Sequence, residues 1–417
     1  MDHVIGLKCL LCGNEYAIDD IAYVCPEHGN EGIVDVQYDY DLIRQRLSKE
    51  DLSRSQAYSI WRYKPVLPVE PESPVPPLRV GWTPLYHTPR LAADLGLHRL
   101  WIKDDGQLPT ASFKDRASAI AVVKAREQGA SMIATASSGN AAAALSGLCA
   151  SVGQANTIFV PETAPPAKIT QLLVLGSRVA LVRGTYDEAF ELCLQAAHKY
   201  GWYNRNTAYN PYMTEGKKTA AYEICEQLAW HAPDCIFVSV GDGCIIGGLH
   251  KGLKDLRTLG WIDRMPRLMG VQAAGSAYLY EAWTRDEAVF TKPPIEAHTV
   301  ADSISVGLPR DRLKAMAAVR ETEGAYLSVT DEEILAAIPA LARGSGVFAE
   351  PAGAAAYAGL VKAVHEGLVA PDERIVVLNT GNGLKDIEGA MKATALVGTK
   401  PYSVAPDLAD FERVLFS

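Results

Sequence analysis

From Trp82 onward, short runs rich in β-branched residues alternate with stretches of helical periodicity, and this alternation constrains the fold more than any other feature. Strands are expected at 100–103, 132–135, 157–160, 179–182 and 202–203, with helices starting near Lys114, Asn140, Ala167 and Asp187. A second series follows: a helix over 219–230, a strand at 236–240, a helix reaching about Leu256, and strands at 268–272 and 374–378. A strand that returns parallel to its predecessor needs a crossover helix. The pattern therefore predicts an α/β fold of doubly wound parallel sheets covered on both faces by helices. Ligands in such sheets sit at the carboxyl ends of the strands, so the loops there carry the chemistry.

With 417 residues, 48% hydrophobic and 21% charged, the chain has material for two or three domains with sizeable cores. A net charge of −9 argues against a nucleic-acid partner, because phosphate backbones require a basic face. No apolar run reaches membrane-spanning length, and Met1-Asp2-His3-Val4 lacks the charged lead and apolar core of a secretion signal. No membrane partner is expected, and the cytoplasm is the expected compartment.

Of eight cysteines, Cys149, Cys193, Cys225, Cys235 and Cys244 lie among apolar residues and read as reduced, mostly core positions. The others form Cys9-x-x-Cys12 and Cys25-x-x-His28, two ligand pairs at knuckle spacing flanking hairpin-like segments at 15–19 and 21–24. Thiolate and imidazole in this arrangement suit tetrahedral zinc, so residues 1–40 are expected to form a zinc-ribbon-like module whose closed site serves folding. The alternative is a ribbon that keeps its shape without the metal. Six prolines within 63–77 predict an extended spacer or a strap across the surface.

Lys114 is the chemically odd residue. Ser112 is the expected cap of its helix, which carries Ile120, Val122 and Val123 on apolar positions and stops near Gly129. A cation in the first turn opposes the helix dipole unless its amine is wanted neutral, and a neutral amine is a nucleophile. Three strand-end loops add to it. Ser137-Ser138-Gly139-Asn140 opens a helix with N–H groups and hydroxyls suited to a carboxylate, an ordinary N-cap being the plainer reading. Gly241-Asp242-Gly243-Cys244-Ile245 lets backbone approach a phosphate, although it lacks the Walker lysine and the full dinucleotide fingerprint, and Asp242 would repel the anion if turned inward. Thr380 ends a strand where its hydroxyl can meet a ring nitrogen, or simply makes a turn. An amine, a carboxylate loop, a phosphate loop and a hydroxyl match one cofactor, pyridoxal phosphate.

The motifs Gly81-Trp-Thr-Pro-Leu85, Pro109-Thr-Ala-Ser-Phe-Lys-Asp-Arg116, Ser137-Ser-Gly-Asn140, Asn210-Pro-Tyr-Met-Thr-Glu-Gly-Lys-Lys-Thr219, Glu350-Pro-Ala-Gly353 and Thr380-Gly-Asn-Gly-Leu-Lys-Asp386 stand in this order. Together they resemble threonine synthase and its relatives among the fold-type II pyridoxal phosphate enzymes, with a likeness running from Trp82 to near Ala395. The resemblance implies two doubly wound domains like those of the tryptophan synthase β chain: 41–115 with 216–417 as a large cofactor domain, and 116–215 as a small mobile one. It makes Lys114 the Schiff-base lysine, Phe113 the neighbour of the cofactor ring, and Asn140 the partner of the ring hydroxyl. Gly241, Asp242, Gly243, Cys244 and Ile245 become the phosphate loop and Thr380 the partner of the pyridine nitrogen. Ser137, Ser138, Gly139 and Lys168 are expected to hold the substrate, and a homodimer is implied.

Departures from the family pattern are Ala111, Asp242 and Ile245, and above all Met213, where an arginine that grips the phosphate of O-phosphohomoserine is frequent. Lys168, Arg205 and Lys217 are the candidate substitutes, although each reads as an ordinary surface cation. The implied activity is conversion of O-phosphohomoserine and water to threonine and phosphate. Met213 motivates a second reading, an ammonia-lyase on threonine or serine or a β-replacement enzyme on O-phosphoserine. A non-catalytic binding protein on a retained scaffold is the third.

Overall fold

The alternation resolves into parallel sheets in a computed structural model that describes residues 1–398 and 400–416. Strands β1 (Val4–Cys9), β2 (Glu15–Tyr16) and β3 (Val34–Tyr38) form a small antiparallel sheet ordered β2-β1-β3. Next come β4 (Leu85–His87), β5 (Arg99–Asp104), β6 (Ile133–Ala136), β7 (Asn156–Pro161), β8 (Arg178–Val182) and β9 (Tyr203–Asn204). The series ends with β10 (Cys235–Ser239), β11 (Arg267–Ala273), β12 (Ala325–Val329) and β13 (Arg374–Asn379). Six of these make a sheet ordered β12-β11-β10-β13-β5-β4, parallel except for the edge strand β4, and four make a fully parallel sheet ordered β8-β7-β6-β9. Each strand anticipated from sequence lies within a residue of its observed ends. Every residue of β6 and β10 is buried, as expected for central strands covered on both faces.

The strand orders locate the site. From β10 the chain steps outward to β11 and β12, then returns so that β13 lies on the other side of β10. From β6 it steps to β7 and β8, then returns with β9 on the other side of β6. The strand order therefore reverses beside β10 in one sheet and beside β6 in the other. A crevice at the carboxyl ends of β6 and β10 is where such folds bind ligands.

Four local expectations are corrected. Segments 15–19 and 21–24 do not pair as a hairpin: β2 pairs with β1, while Val24 bridges Ile33. The proline-rich 63–77 stretch is no spacer, because Tyr63, Leu67 and Val69 are buried in the main core. The helix expected over 219–230 is Thr219–Gln227, closed by left-handed residues Ala229 and Trp230, with the Trp230 N–H bonded back to Cys225 O. Ser112 does not cap the Lys114–Glu127 helix; Phe113 occupies the cap position with helical dihedrals, and the Ser112 hydroxyl is buried without a partner.

Candidate active site

Lys114 opens its helix immediately after a strained turn. Ala111 has φ +62°, a left-handed conformation that costs an alanine about 1–2 kcal/mol, and the surroundings enforce it. The Asn382 N–H donates to Ala111 O (3.0 Å), and the Phe113 N–H donates to Thr380 O (2.9 Å). The loop after β13 thus clamps the turn that presents Lys114. Two residues on, in the same turn, Arg116 is fully buried between Asp105 and Glu223, at 2.6 Å from each, which ties the helix to the end of β5. The Lys114 side chain keeps part of its surface on a cavity wall, and desolvation by that wall pushes its amine below the usual lysine range.

Two helix N-termini face the same cavity. After β6, the Asn140–Val152 helix is capped by Gly139 without a side-chain hydrogen bond. Ser137 and Ser138 therefore do not cap this helix, and its first N–H groups receive no side-chain cap bond. After β10, Gly243 (φ +89°) caps the Cys244–Thr258 helix, again without a side-chain bond. A Cβ on Gly243 would stand 2.6 Å from Ala315 Cβ, so the turn that exposes this helix end requires glycine. Asp242 lines the cavity; its Oδ1 accepts the Arg310 N–H at 3.3 Å, and burial pushes its carboxyl above the usual range.

The cavity, about 740 Å³, joins Lys114, Ser137–Asn140 and Gly241–Ile245. It adds Arg205, one of the candidate substitutes for the family's arginine, and Tyr186 and Arg310, which no local sequence signal marked as site residues. Phe113 and Thr380 stand behind the wall, the first 0% and the second 7% exposed. Lys168 lines a smaller neighbouring cavity and is paired with Asp302 at 2.5 Å. Met213 is 1% exposed and belongs to the hydrophobic core, whereas Arg205 and Lys217 are buried cations rather than surface ones. Asn140 donates to Glu350 Oε1 at 2.8 Å, and burial raises the Glu350 carboxyl to about 7. The sequence showed Glu350 only as part of a motif; a carboxylate directly before Pro351 at a helix start was the available signal.

These residues fit pyridoxal phosphate on their own chemistry. The cavity offers a desolvated amine, a glycine-built helix terminus for the phosphate, and on its wall Arg205, whose buried Nη2 has no hydrogen-bond partner among the described residues. The model of the family described as pyridoxal-phosphate dependent enzyme matches residues 77–381. The chain belongs to that family. Threonine synthase of Methanocaldococcus jannaschii is 38% identical over 409 residues, 98% of each chain, and that of Methanosarcina acetivorans is 40% identical over 91% of this chain and 92% of its own. Within the family, then, the chain is a threonine synthase-like lyase. The processed form of threonine deaminase isoform 2 from Solanum lycopersicum shares the fold, with a TM-score of 0.66 over 87% of this chain and 95% of its own at 24% identity.

Proposed function

We propose that the enzyme converts O-phosphohomoserine and water to threonine and phosphate. The observation that carries this reading is the single cavity in which Lys114, the Ser137–Asn140 turn and the Gly241–Ile245 loop meet. When bound, pyridoxal phosphate supplies an aldehyde that captures an amine and a ring that delocalises the electron pair left at Cα. The protein does the rest. Lys114 Nζ, held below ordinary lysine basicity by burial, takes the Cα proton and returns protons along the substrate. The open N-terminus of the Asn140–Val152 helix, with Ser137 and Ser138, holds the substrate carboxylate. The Gly241–Ile245 backbone holds the cofactor phosphate. Phe113 and Thr380 act from behind the wall through the turn they brace, the Phe113 N–H donating to Thr380 O. Ion pairs Lys168–Asp302 (2.5 Å) and Arg310–Asp187 (3.3 Å) cross the mouth and help exclude water. Purified enzyme given O-phosphohomoserine is expected to release threonine and phosphate in equal amounts; formation of neither overturns the reading. Because Met213 is a core residue, it gives no support to a deaminase or β-replacement activity.

For the N-terminal module we propose a structural zinc. The ligand atoms of Cys9, Cys12, Cys25 and His28 all lie within 4.8 Å of one another. Zn–S bonds of about 2.3 Å put tetrahedral sulfurs about 3.8 Å apart, the separation of Cys12 and Cys25 Sγ (3.8 Å). Metal analysis is expected to find one zinc per chain and, in Cys9→Ser, less than a tenth of that. Because Cys9 and Cys25 belong to the main core, chelation should also lower the thermal midpoint of the whole enzyme. A metal-free parent with the same midpoint would refute the site. The eight free cysteines suit a reducing compartment, the cytoplasm.

A further inference from the structure

The N-terminal module reaches the Gly241–Ile245 loop through two ion pairs that the chemistry described above does not use. Arg312 opens the Arg312–Glu321 helix and is 5% exposed; Lys314, in the same turn, is 8% exposed. The Arg312 guanidinium serves three partners. Its Nε donates to Val289 O (3.1 Å) and its Nη1 to Pro309 O (3.2 Å), while Nη2 pairs with Glu31, in the short turn after His28. Lys314 Nζ pairs with Asp35 on β3 (2.9 Å) and donates to Thr214 Oγ1 (3.2 Å). Burial alone would lower the Lys314 amine, yet Asp35 holds it above the usual lysine range, so the buried pair stays charged.

The start of the Arg312–Glu321 helix packs directly on the loop. The Asp311 N–H donates to Asp242 O at 3.0 Å, and the Arg310 N–H donates to Asp242 Oδ1 at 3.3 Å. Ala315 Cβ fills the space that only a glycine at 243 leaves open, and a Cβ on Gly247 would stand 2.8 Å from Lys314 Cβ. From the Cys244–Thr258 helix, which the loop opens, Lys251 Nζ donates to Val36 O (2.7 Å) and stands 3.6 Å from Asp35. Asp35 therefore joins two helices, the one that carries the loop and the one that braces it. Buried pairs of this kind fix geometry strictly, because removing one partner leaves the other uncompensated. A site built on such a brace is sensitive to displacements of about 1 Å.

We infer that Arg312 and Lys314 are positioning residues for the cofactor's phosphate: anchored on Glu31 and Asp35 of the N-terminal module, they hold their helix against the Gly241–Ile245 loop and keep the loop in shape. The module thereby acts on cofactor binding as well as on folding. The inference rests on the functional reading above, in which that loop holds the phosphate. Its test is an exchange measurement on the full-length, cofactor-loaded enzyme, in which bound pyridoxal phosphate is competed off with pyridoxal and the ratio of their affinities is read from the bound fraction of each. Glu31→Gln, Asp35→Asn and Arg312→Met are compared with the parent. Preference for the phosphorylated form is expected to fall at least about threefold in each variant, because the shape of the loop matters only to the ester. A merely structural loosening would weaken both ligands alike and leave the ratio unchanged. A smaller fall than this in the variants that fold overturns the inference. The Glu31 side chain is 48% exposed, so Glu31→Gln keeps the test decisive if loss of Asp35 or Arg312 prevents folding. A parent that binds pyridoxal as tightly as its phosphate ester would overturn the phosphate loop itself, and the inference with it. The exchange requires no turnover, so absence of threonine formation would count against the proposed reaction and leave this brace standing.

Discussion

Lys114→Ala is expected to lower turnover by at least about 10³-fold, because in the proposed function one nitrogen is both the anchor of the cofactor and the base for the substrate. The loss should not come from unfolding. Lys114 opens a 14-residue helix, alanine is the best helix former, and removing a cation from a helix N-terminus relieves an unfavourable interaction with the dipole. The purified variant should therefore melt near the parent temperature while losing the visible absorbance of a covalently held cofactor. Added methylamine, a small surrogate for the missing side chain, should restore part of the activity. Turnover within tenfold of the parent, or an unchanged absorption spectrum, would show that another group does this work. Lys217 is the alternative to exclude, since its amine is also lowered by burial and it lies within electrostatic reach of Lys114.

How far the sequence reveals this site depends on how local each physical cause is. The inner strands were legible because parallel strands buried on both faces are continuous apolar runs, as in β10. The loops at their ends were legible as strand-to-helix junctions because glycine and hydroxyl residues there favour turns and caps. Long-range contacts left no such trace. Ser112 has the composition of a cap, yet the bonds from Asn382 N–H to Ala111 O and from Phe113 N–H to Thr380 O shape the turn so that Phe113 takes the position instead. Prolines in 63–77 signalled extension but not the burial of Leu67 against the core. Met213 looked like a missing ligand because its neighbours matched a motif, whereas its helix turns the thioether into the core and leaves Arg205 on the cavity wall. Whether a charged residue is buried is set by what packs over it, which is why Lys217, Arg205 and Glu350 could not be distinguished from surface charges.

The second large effect is expected at Glu223, far from solvent and outside the cavity lining. Its carboxylate bonds Arg116 Nη1 at 2.6 Å and Nη2 at 2.8 Å, and Lys103 Nζ at 2.7 Å. Asp105 closes the cluster on Arg116 Nε at 2.6 Å, and Thr83 Oγ1 donates to Asp105 at 2.6 Å. All four charged side chains are 0% exposed and their charges cancel. Burial alone would raise the Glu223 carboxyl, yet Arg116 and Lys103 hold it well below the ordinary carboxylate range. Glu223→Gln leaves two buried cations facing one carboxylate, a loss of about 3–5 kcal/mol, measurable by urea unfolding of the cofactor-free chain. Arg116→Met should cost a similar amount, since it strands both acids. The double variant Arg116→Met with Glu223→Gln removes one charge of each sign and leaves Lys103 with Asp105, so it should lose less than the two single losses added together. Additive losses would mean that the charges act independently. The cluster also has a functional consequence, because Arg116 sits in the first turn of the helix and Asp105, just after β5, holds it there. A Glu223→Gln enzyme that still folds should bind the cofactor more weakly, since the turn presenting Lys114 has lost its rigid footing. If stability fell while cofactor affinity held, the cluster would support the fold alone and the loop after β13 would be sufficient to place Lys114.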